Sequence, residues 1–233
     1  MKIFGHRGAP AYEPENTLRS FAKALSLGVD MVEFDVYVLP SGEIIGIHDS
    51  WVDRTTNNFG HIYALDFDHL RTFDAGKGEK IPTLSEVIEL IDRRVPLDIE
   101  LKNTGSARAV ADVVRTYIAQ GWKPRDFMVS SFDHREIQLF KQLIPEIKTI
   151  ALIYSVPIDY AALCEPLGAR VIAPAVELID EAFVRDAHSR NLEIYAYVSE
   201  PIHDEDVIRL YRLGVDGMFS DFPDKTRALL ATM

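Results

Sequence analysis

The stretch DMVEFDV, residues 30–36, alternates acidic with apolar side chains along a run that has the composition of a β-strand. Successive strand side chains point to opposite faces, so Glu33 and Asp35 share one face with Met31, and the valine and phenylalanine side chains form the other. An antiparallel sheet with one wet face shows such alternation routinely. A parallel barrel has no wet face, and there the same pattern sends both carboxylates into the interior.

A second stretch, LDIELK at residues 97–102, repeats the alternation. Its leucines and isoleucine suit packing against helices, which leaves Asp98, Glu100 and Lys102 on the other face. Taken alone, this stretch fits the wet antiparallel sheet better. Two such stretches within a series of alternating strands and helices favour the parallel barrel.

Short apolar runs alternate with helical patterns along the whole chain. The predicted strands are Lys2–His6, Asp30–Val36, Leu97–Lys102, Phe127–Phe132, Thr149–Tyr154, Arg170–Ala175, Glu193–Val198 and Gly217–Phe222. The predicted helices are Thr17–Leu27, Leu84–Arg93, Ala107–Ala119, His134–Leu143, Tyr160–Leu167, Asp180–Arg190, Asp204–Leu213 and Asp224–Leu230. Eight strand-then-helix units predict an α/β fold, a (β/α)8 TIM barrel, as a single domain over residues 1–233.

The connection after the second strand is long and covers about residues 43–82. Its first part, within GEIIGIHDS, predicts an extra strand that ends at His48, and the rest is rich in loops. Long excursions at this end of a barrel often carry function. We therefore predict a barrel with a short insertion after the second strand.

The formal net charge of −11 argues against nucleic acid or an anionic membrane as a partner, since both would be repelled. An anionic substrate must then meet local positive charge. The chain has one cysteine, Cys164, its start lacks a secretory signal, and no segment approaches the roughly 18 apolar residues of a membrane span. We expect a cytoplasmic protein without stable membrane association, and we find no signal for the oligomeric state.

The inward carboxylates of the two alternating stretches would repel one another and would be poorly solvated in a barrel interior. A divalent cation relieves both problems. All the candidate ligands are oxygens, and no Cys–His spacing is present, which favours Mg²⁺, Ca²⁺ or Mn²⁺ over Zn²⁺.

Two histidines are predicted to lie at the same end of the barrel as these carboxylates. His6, in FGHRGAPAYEPENT at residues 4–17, closes the first strand, and His48 closes the extra strand. Two histidines beside an acidic metal site fit a general acid and a general base, although one histidine at a strand end is more often a surface residue. Arg7 and Lys102 supply the positive charge that an anionic substrate needs.

These stretches resemble, in order, the motifs of the glycerophosphodiester phosphodiesterase family, from about residue 3 to residue 225. The matching pieces are GHRGAPAYEPENT, VEFDVYV, IIGIHDS, DRTTN, IPTLSEVIELI, LDIELK, VSSF and GVDGMFSDFPD. The resemblance implies a TIM barrel that uses one Mg²⁺ or Ca²⁺ ion to cleave a small-molecule glycerophosphodiester into glycerol 3-phosphate and an alcohol. It places metal ligands on Glu33, Asp35 and Glu100, catalytic histidines on His6 and His48, and phosphate-binding cations on Arg7 and Lys102.

The chain departs from the family pattern near the seventh strand of the barrel. IYAYVSE places Tyr197 where the family usually has Trp, and Glu200 where it usually has Asn. An aromatic ring and a carboxylate suit a cationic headgroup such as choline, provided that Tyr197 faces inward. The alternative is that Tyr197 fills the space of the Trp and Glu200 is a solvated loop residue.

Two other functions fit the sequence less well. A phospholipase-type headgroup lyase of the same fold would need an exposed apolar or basic rim, and the acidic insertion segment YALDFDHLRTFD offers little of either. A non-catalytic phosphodiester-binding barrel would have lost a histidine or an acid, and all are present. Which histidine is the acid, and whether water or the glycerol 2-hydroxyl attacks first, stays open at this stage.

Overall fold

The structure is a computed structural model that describes residues 1–198 and 202–233. The strands are β1 Lys2–Gly5, β2 Met31–Val38, β3 Ile44–Gly46, β4 Leu97–Leu101, β5 Phe127–Ser131, β6 Lys148–Ile153, β7 Val171–Pro174, β8 Glu193–Ala196 and β9 Gly217–Ser220. The α-helices are α1 Leu18–Ser26, α2 Phe67–Leu70, α3 Leu84–Ile91, α4 Ser106–Ala119, α5 His134–Leu143, α6 Cys164–Leu167, α7 Glu181–Ser189, α8 Asp204–Leu213 and α9 Pro223–Leu230. Short 3₁₀ turns lie at Ile62–Ala64, Pro124–Asp126 and Val176–Leu178.

Eight of these strands close into a parallel ring. The strand order is β1-β9-β8-β7-β6-β5-β4-β2, and β1 pairs in parallel with β2, with Phe4 opposite Met31. Strand β3 pairs antiparallel with β2 outside the ring. The predicted TIM barrel with an extra strand is confirmed, although β3 ends at Gly46 rather than at His48.

Local sequence explains where the helices begin and why one is short. Thr17 caps α1, and Thr83 with Glu86 forms a capping box at the start of α3. The helix predicted from Tyr160 is reduced to the single turn of α6. A helix that began at Tyr160 would hold Pro166 in its interior, where proline removes a hydrogen bond and clashes with the preceding turn.

The interior of the barrel is divided between an apolar floor and a polar mouth. The floor contains Phe4, Met31, Met128, Ile150, Leu152, Val171, Ala173, Tyr195 and Phe219. On β2 and β4 the inward residues nearer the carboxyl ends are polar, as where Met31 is followed by Glu33 and Asp35. This division leaves the carboxyl end of the barrel available for a site.

The insertion after β2 has a small core of its own. Leu39, Ile45, Ile62, Leu70 and Phe73 pack together there and are buried. In the described part of the chain, no helix combines the length and the apolar character needed to cross a membrane.

Candidate active site

The three predicted metal ligands lie together at the mouth of the barrel. Strands β2 and β4 are neighbours, and their register sets Asp35 opposite Glu100. Glu33 lies two residues earlier on β2 and points into the same interior. Glu33, Asp35 and Glu100 each contribute an oxygen, and these oxygens all lie within 4.8 Å of one another.

When all three carboxyl groups are ionised, negative charge exceeds positive charge in this group. Burial, with the negative charges of Asp35 and Glu100, holds the pKa of Glu33 well above its usual range. Burial also raises the pKa of the Glu100 carboxyl, and Lys102 offsets this only in part. Lys102 and Arg7 outweigh the burial of Asp35 and keep its pKa below its usual range. Two cations therefore face three clustered acids.

A hard divalent cation fits these side chains. Oε1 of Glu33 is buried and has no hydrogen-bond partner among the described residues, and the same is true of Oδ1 of Asp98, which lies opposite Glu33 on β4. All the donors are carboxylate oxygens, which Mg²⁺ and Ca²⁺ prefer. A cation held by Glu33, Asp35 and Glu100 would balance the excess charge and give the unpartnered Glu33 oxygen a ligand.

Asp98 borders the site in a different protonation state. Its Oδ2 accepts a hydrogen bond of 3.1 Å from Oγ of Ser130. Burial raises the pKa of Asp98 to about 8, so the side chain is mostly protonated at neutral pH. Asp98 therefore adds little negative charge to the neighbouring carboxylates.

The loop after β1 fixes the carboxylates of β2. The backbone N–H of Arg7 donates to Oε2 of Glu33 at 2.6 Å, and Nδ2 of Asn16 donates to Oδ2 of Asp35 at 2.7 Å. Arg7 and Asn16 both adopt the left-handed region, with φ of 51° and 54°. Asn16 was missed as a site residue, although it lies in the polar loop sequence that begins at His6.

His6 is oriented by a carboxylate from the other end of the chain. Its Nδ1 lies 2.8 Å from Oδ1 of Asp221, which follows β9. This contact outweighs the burial of Asp221 and lowers the pKa of that carboxyl. The Nε2 of His6 is left for a partner in the cavity that His6 lines.

His48 has the same arrangement with its neighbour in sequence. Its Nδ1 lies 2.6 Å from Oδ1 of Asp49, and Nε of Arg54 donates to Oδ2 of Asp49, also at 2.6 Å. Despite partial burial, these two partners lower the pKa of Asp49 to about 2. Burial lowers the pKa of His48, so its imidazole is neutral near pH 7. Asp49 and Asp221 thus each hold one histidine ring in place, and the sequence analysis predicted neither contact.

The two predicted phosphate-binding cations contact the acids directly. Nη1 of Arg7 donates to Oε1 of Glu15 at 2.9 Å, and its Nε lies 3.4 Å from Oδ2 of Asp35. Nζ of Lys102 lies 2.7 Å from Oε1 of Glu100. Arg7 lines the cavity above the carboxylates, whereas Lys102 lies outside its lining.

That cavity has a volume of about 300 Å³, with a polar side and an apolar side. The polar side includes both histidines, Glu33 and Glu100. The apolar side is formed by Leu152, Phe132, Tyr154, Tyr197 and Phe219. The cavity can therefore hold a charged phosphoryl group on one side and a less polar substituent on the other.

Tyr195 and Tyr197 share one face of β8 and the residue after it. In the structure this face is the inner one. Tyr195 belongs to the apolar floor, whereas Tyr197 lies at the cavity with its ring centroid 5.5 Å from that of Phe132. The hydroxyl of Tyr197 donates to the carbonyl of Ile153 at 3.1 Å. Glu200, the second predicted headgroup residue, lies outside the described residues.

Clustered buried carboxylates and titratable groups at the carboxyl ends of parallel strands define the class of protein as a TIM-barrel enzyme. Comparison with known proteins identifies the family. Residues 6–225 match the glycerophosphoryl diester phosphodiesterase family. The chain belongs to this family, as the motifs predicted, and the expected type of enzyme is confirmed.

Two relatives match over almost their whole length. The chain is 32% identical to YhdW of Bacillus subtilis (strain 168), over 96% of each chain. It is 30% identical to the glycerophosphodiester phosphodiesterase of Caldanaerobacter subterraneus subsp. tengcongensis, over 95% of this chain and 94% of that one. A phosphodiesterase of Oleispira antarctica, solved in complex with the product sn-glycerol-3-phosphate, superposes with a TM-score of 0.90 at 28% identity, covering 99% of this chain and 97% of that one.

Proposed function

We propose that this protein hydrolyses glycerophosphodiesters to glycerol 3-phosphate and an alcohol, and that the reaction requires one divalent cation, Mg²⁺ or Ca²⁺, with Mn²⁺ also suited to the ligands. The observation that carries the proposal is the group of carboxylate oxygens within 4.8 Å of one another beside two carboxylate-paired histidines. The product bound to the Oleispira antarctica relative supports the substrate class.

The polar side of the cavity suits a phosphodiester. When bound, a divalent cation supplies Lewis-acid stabilisation of the charge that develops on the phosphoryl oxygens. Arg7 lines the same cavity and can donate to a phosphoryl oxygen from its guanidinium group. Lys102 adds positive charge from behind Glu100 and Asp35, which lowers the repulsion between the substrate and these acids.

The two histidines divide the proton transfers. Burial keeps His48 neutral, and Asp49 accepts its Nδ1–H, so Nε2 carries a lone pair that can accept a proton from the attacking hydroxyl. His48 is accordingly the general base of the proposal. His6 then protonates the leaving alkoxide, with Asp221 fixing the ring.

Phosphorus NMR of the products tests the proposal. Purified protein with Mg²⁺ or Ca²⁺ is mixed with glycerophosphocholine, and the signals are followed to completion. We expect glycerol 3-phosphate as the end product, with a cyclic phosphate present at most transiently. A cyclic phosphate that persists as the end product would assign the lyase reaction instead, and an unchanged substrate signal would contradict catalysis on this substrate class.

Tyr197 is proposed to favour a cationic headgroup through its ring. A cation–π contact of about 0.5–2 kcal/mol corresponds to a preference of only ~2- to 30-fold. We expect kcat/KM to be higher for glycerophosphocholine than for glycerophosphoglycerol, and the ratio to fall toward one in Tyr197→Leu. Tyr197→Phe is the matched control, since it keeps the ring and should keep the preference. Equal kcat/KM values in the wild-type protein would exclude this role, and Glu200→Gln tests the second residue in the same assay.

Three broader expectations from the sequence also stay predictions. They are the single domain over residues 1–233 with its insertion at about 43–82, the cytoplasmic location, and the absence of nucleic-acid partners. Limited proteolysis would check the first, because a single domain should resist cleavage between the barrel and the insertion. Cell fractionation would check the second.

A further inference from the structure

Exposed apolar side chains are concentrated at the mouth of the barrel. Six large ones lie on two segments that follow barrel strands at their carboxyl ends: Trp51, Phe59 and Tyr63 in the insertion, and Tyr154, Val156 and Ile158 after β6. We call these six residues the apolar rim. Among the described residues, only two large exposed apolar side chains lie away from the mouth, namely Tyr211 on α8 and Met233 near the end of the chain.

The rim adjoins the cavity at Tyr154, and its other segment follows closely in sequence on a residue of the cavity. In the insertion, ring contacts run from Trp51 to His61 at 5.3 Å, and from His61 to Tyr63 at 5.1 Å. This row begins three residues after His48, which lines the cavity. On the other side, Tyr154 belongs both to the rim and to the apolar wall of the cavity. A surface that met the rim would therefore face the proposed phosphodiester site.

The large exposed fractions of the rim side chains favour their burial against a binding partner. The side chain of Ile158 is 98% exposed and that of Phe59 is 78% exposed, and each leaves apolar area in water that burial would stabilise. The aromatic residues of the rim include Trp and Tyr, whose apolar rings and polar ends suit the boundary between water and lipid.

Charge decides which lipid surface fits. The protein carries a net charge of −11, and Asp66 and Asp68 lie close to Tyr63 in the insertion, so an anionic bilayer would repel this end of the barrel. A zwitterionic surface would not. Its headgroups are phosphodiesters of glycerol, which is the chemistry that the cavity is proposed to recognise.

We infer that the apolar rim docks reversibly on zwitterionic lipid surfaces and brings the cavity to phosphodiester headgroups presented there. The choice of partner rests on the proposed function, whereas the docking itself does not require catalysis. Reversible docking differs from the stable association that the sequence argued against. The acids of the insertion predicted a poor membrane surface, but Trp51, Phe59 and Tyr63 of the same insertion are exposed in the fold.

Tryptophan fluorescence tests the docking. The chain has two tryptophans: Trp51 is 55% exposed at the mouth, and Trp122 is 8% exposed and precedes β5 at the opposite end of the barrel. With phosphatidylcholine vesicles we expect a blue shift of the emission, and quenching when the lipid is brominated. Both effects should be absent in Trp51→Phe, which keeps Trp122. An emission spectrum of the wild-type protein that vesicles do not change would overturn the inference.

Flotation of the protein with the same vesicles tests whether the side chains of the rim are responsible for binding to lipid. The double variant Phe59→Ser with Ile158→Ser should lower the partition coefficient at least about tenfold, while Tyr211→Ser, a matched exposed control, should change it less than about twofold. Activity on soluble glycerophosphocholine should be unchanged in both. Equal flotation of the double variant and the wild-type protein would contradict the proposal. Docking without any turnover would instead contradict only the proposed function.

The same variants distinguish a lipid surface from a second copy of the chain. Sedimentation velocity of the wild-type protein without lipid should show no association that the double variant abolishes. Concentration-dependent dimers that disappear in Phe59→Ser with Ile158→Ser would assign the rim to self-association and contradict docking on lipid.

Discussion

Exhaustive chelation should lower turnover of glycerophosphocholine by roughly 10³-fold or more, and added Mg²⁺ or Ca²⁺ should restore it. The physical reason is the excess of negative charge at Glu33, Asp35 and Glu100, which repels an anionic phosphodiester unless a cation compensates it. Glu100→Gln should have a loss of similar size that added cation does not reverse. Steady-state kinetics on the chelated and reloaded protein measures both effects.

A buried acid outside the cavity provides the control for Glu100→Gln. Glu136 is also buried, but it accepts hydrogen bonds from the backbone N–H groups of Gly105 and Ala107 at the start of α4. Glu136→Gln should keep turnover within about twofold, because an amide oxygen can accept one of these bonds. Full activity after chelation, or equal losses in the two variants, would exclude the proposed role of the carboxylates.

Removal of either histidine proposed to be catalytic should lower kcat by roughly 10²–10⁴-fold, the usual contribution of a general acid or base. His6→Ala and His48→Ala should each show this loss on glycerophosphocholine, and the double variant should lose less than the product of the two factors. An activated aryl leaving group needs no protonation, so it should rescue His6→Ala and not His48→Ala. The opposite rescue would reverse the assignment of acid and base.

The pH dependence of kcat/KM gives an independent test of His48 as the proposed general base. Burial lowers the pKa of His48, and a bound cation would lower it further, so the acidic limb of kcat/KM should lie below the usual histidine range. His188 offers a matched control, since it also pairs with a carboxylate, Asp216 at 3.0 Å, but on the outside of the barrel. His188→Ala should leave both kcat and the pH profile unchanged. Near-normal kcat in His48→Ala would make His48 a structural residue.

The barrel could be predicted because its signal is local and repeated. Each strand is marked by a short apolar run, and strand parity alone puts the acidic residues of each of the two stretches on one face. Parity put Tyr195 and Tyr197 on one face without saying which, and the structure shows that Tyr197 lies on the inner face, at the cavity. The predicted end of β3 at His48 was two residues too late, because the pairing of β3 with β2 ends at Gly46, opposite Val36. Where a pairing ends depends on both strands, and the sequence of one strand does not show it.

The residues that orient the site could not be predicted in the same way. Asp221 meets His6 across 215 positions of sequence, and only closure of the ring between β1 and β9 brings them together. Asn16 reaches Asp35 because its backbone takes a left-handed conformation, which composition does not reveal. The apolar rim was missed for a similar reason, because exposure of a loop side chain depends on tertiary packing.

The most direct test of the proposed cation site is the melting temperature of the metal-free and metal-loaded protein. Burial and like charge raise the pKa of Glu33, so its ionised form destabilises the metal-free fold at neutral pH. Glu33→Gln should therefore raise the melting temperature of the chelated protein by roughly 2–8 °C, for a gain of about 1–2 kcal/mol.

Added cation should then raise the melting temperature of the wild-type protein but not that of Glu33→Gln. At a Ca²⁺ or Mg²⁺ concentration of about 100 times Kd, the wild-type melting temperature should rise by roughly 5–11 °C, and that of Glu33→Gln should barely move. A chelated wild-type protein whose melting temperature ignores added cation, or a Glu33→Gln variant that responds as the wild type does, would contradict a cation site at Glu33, Asp35 and Glu100.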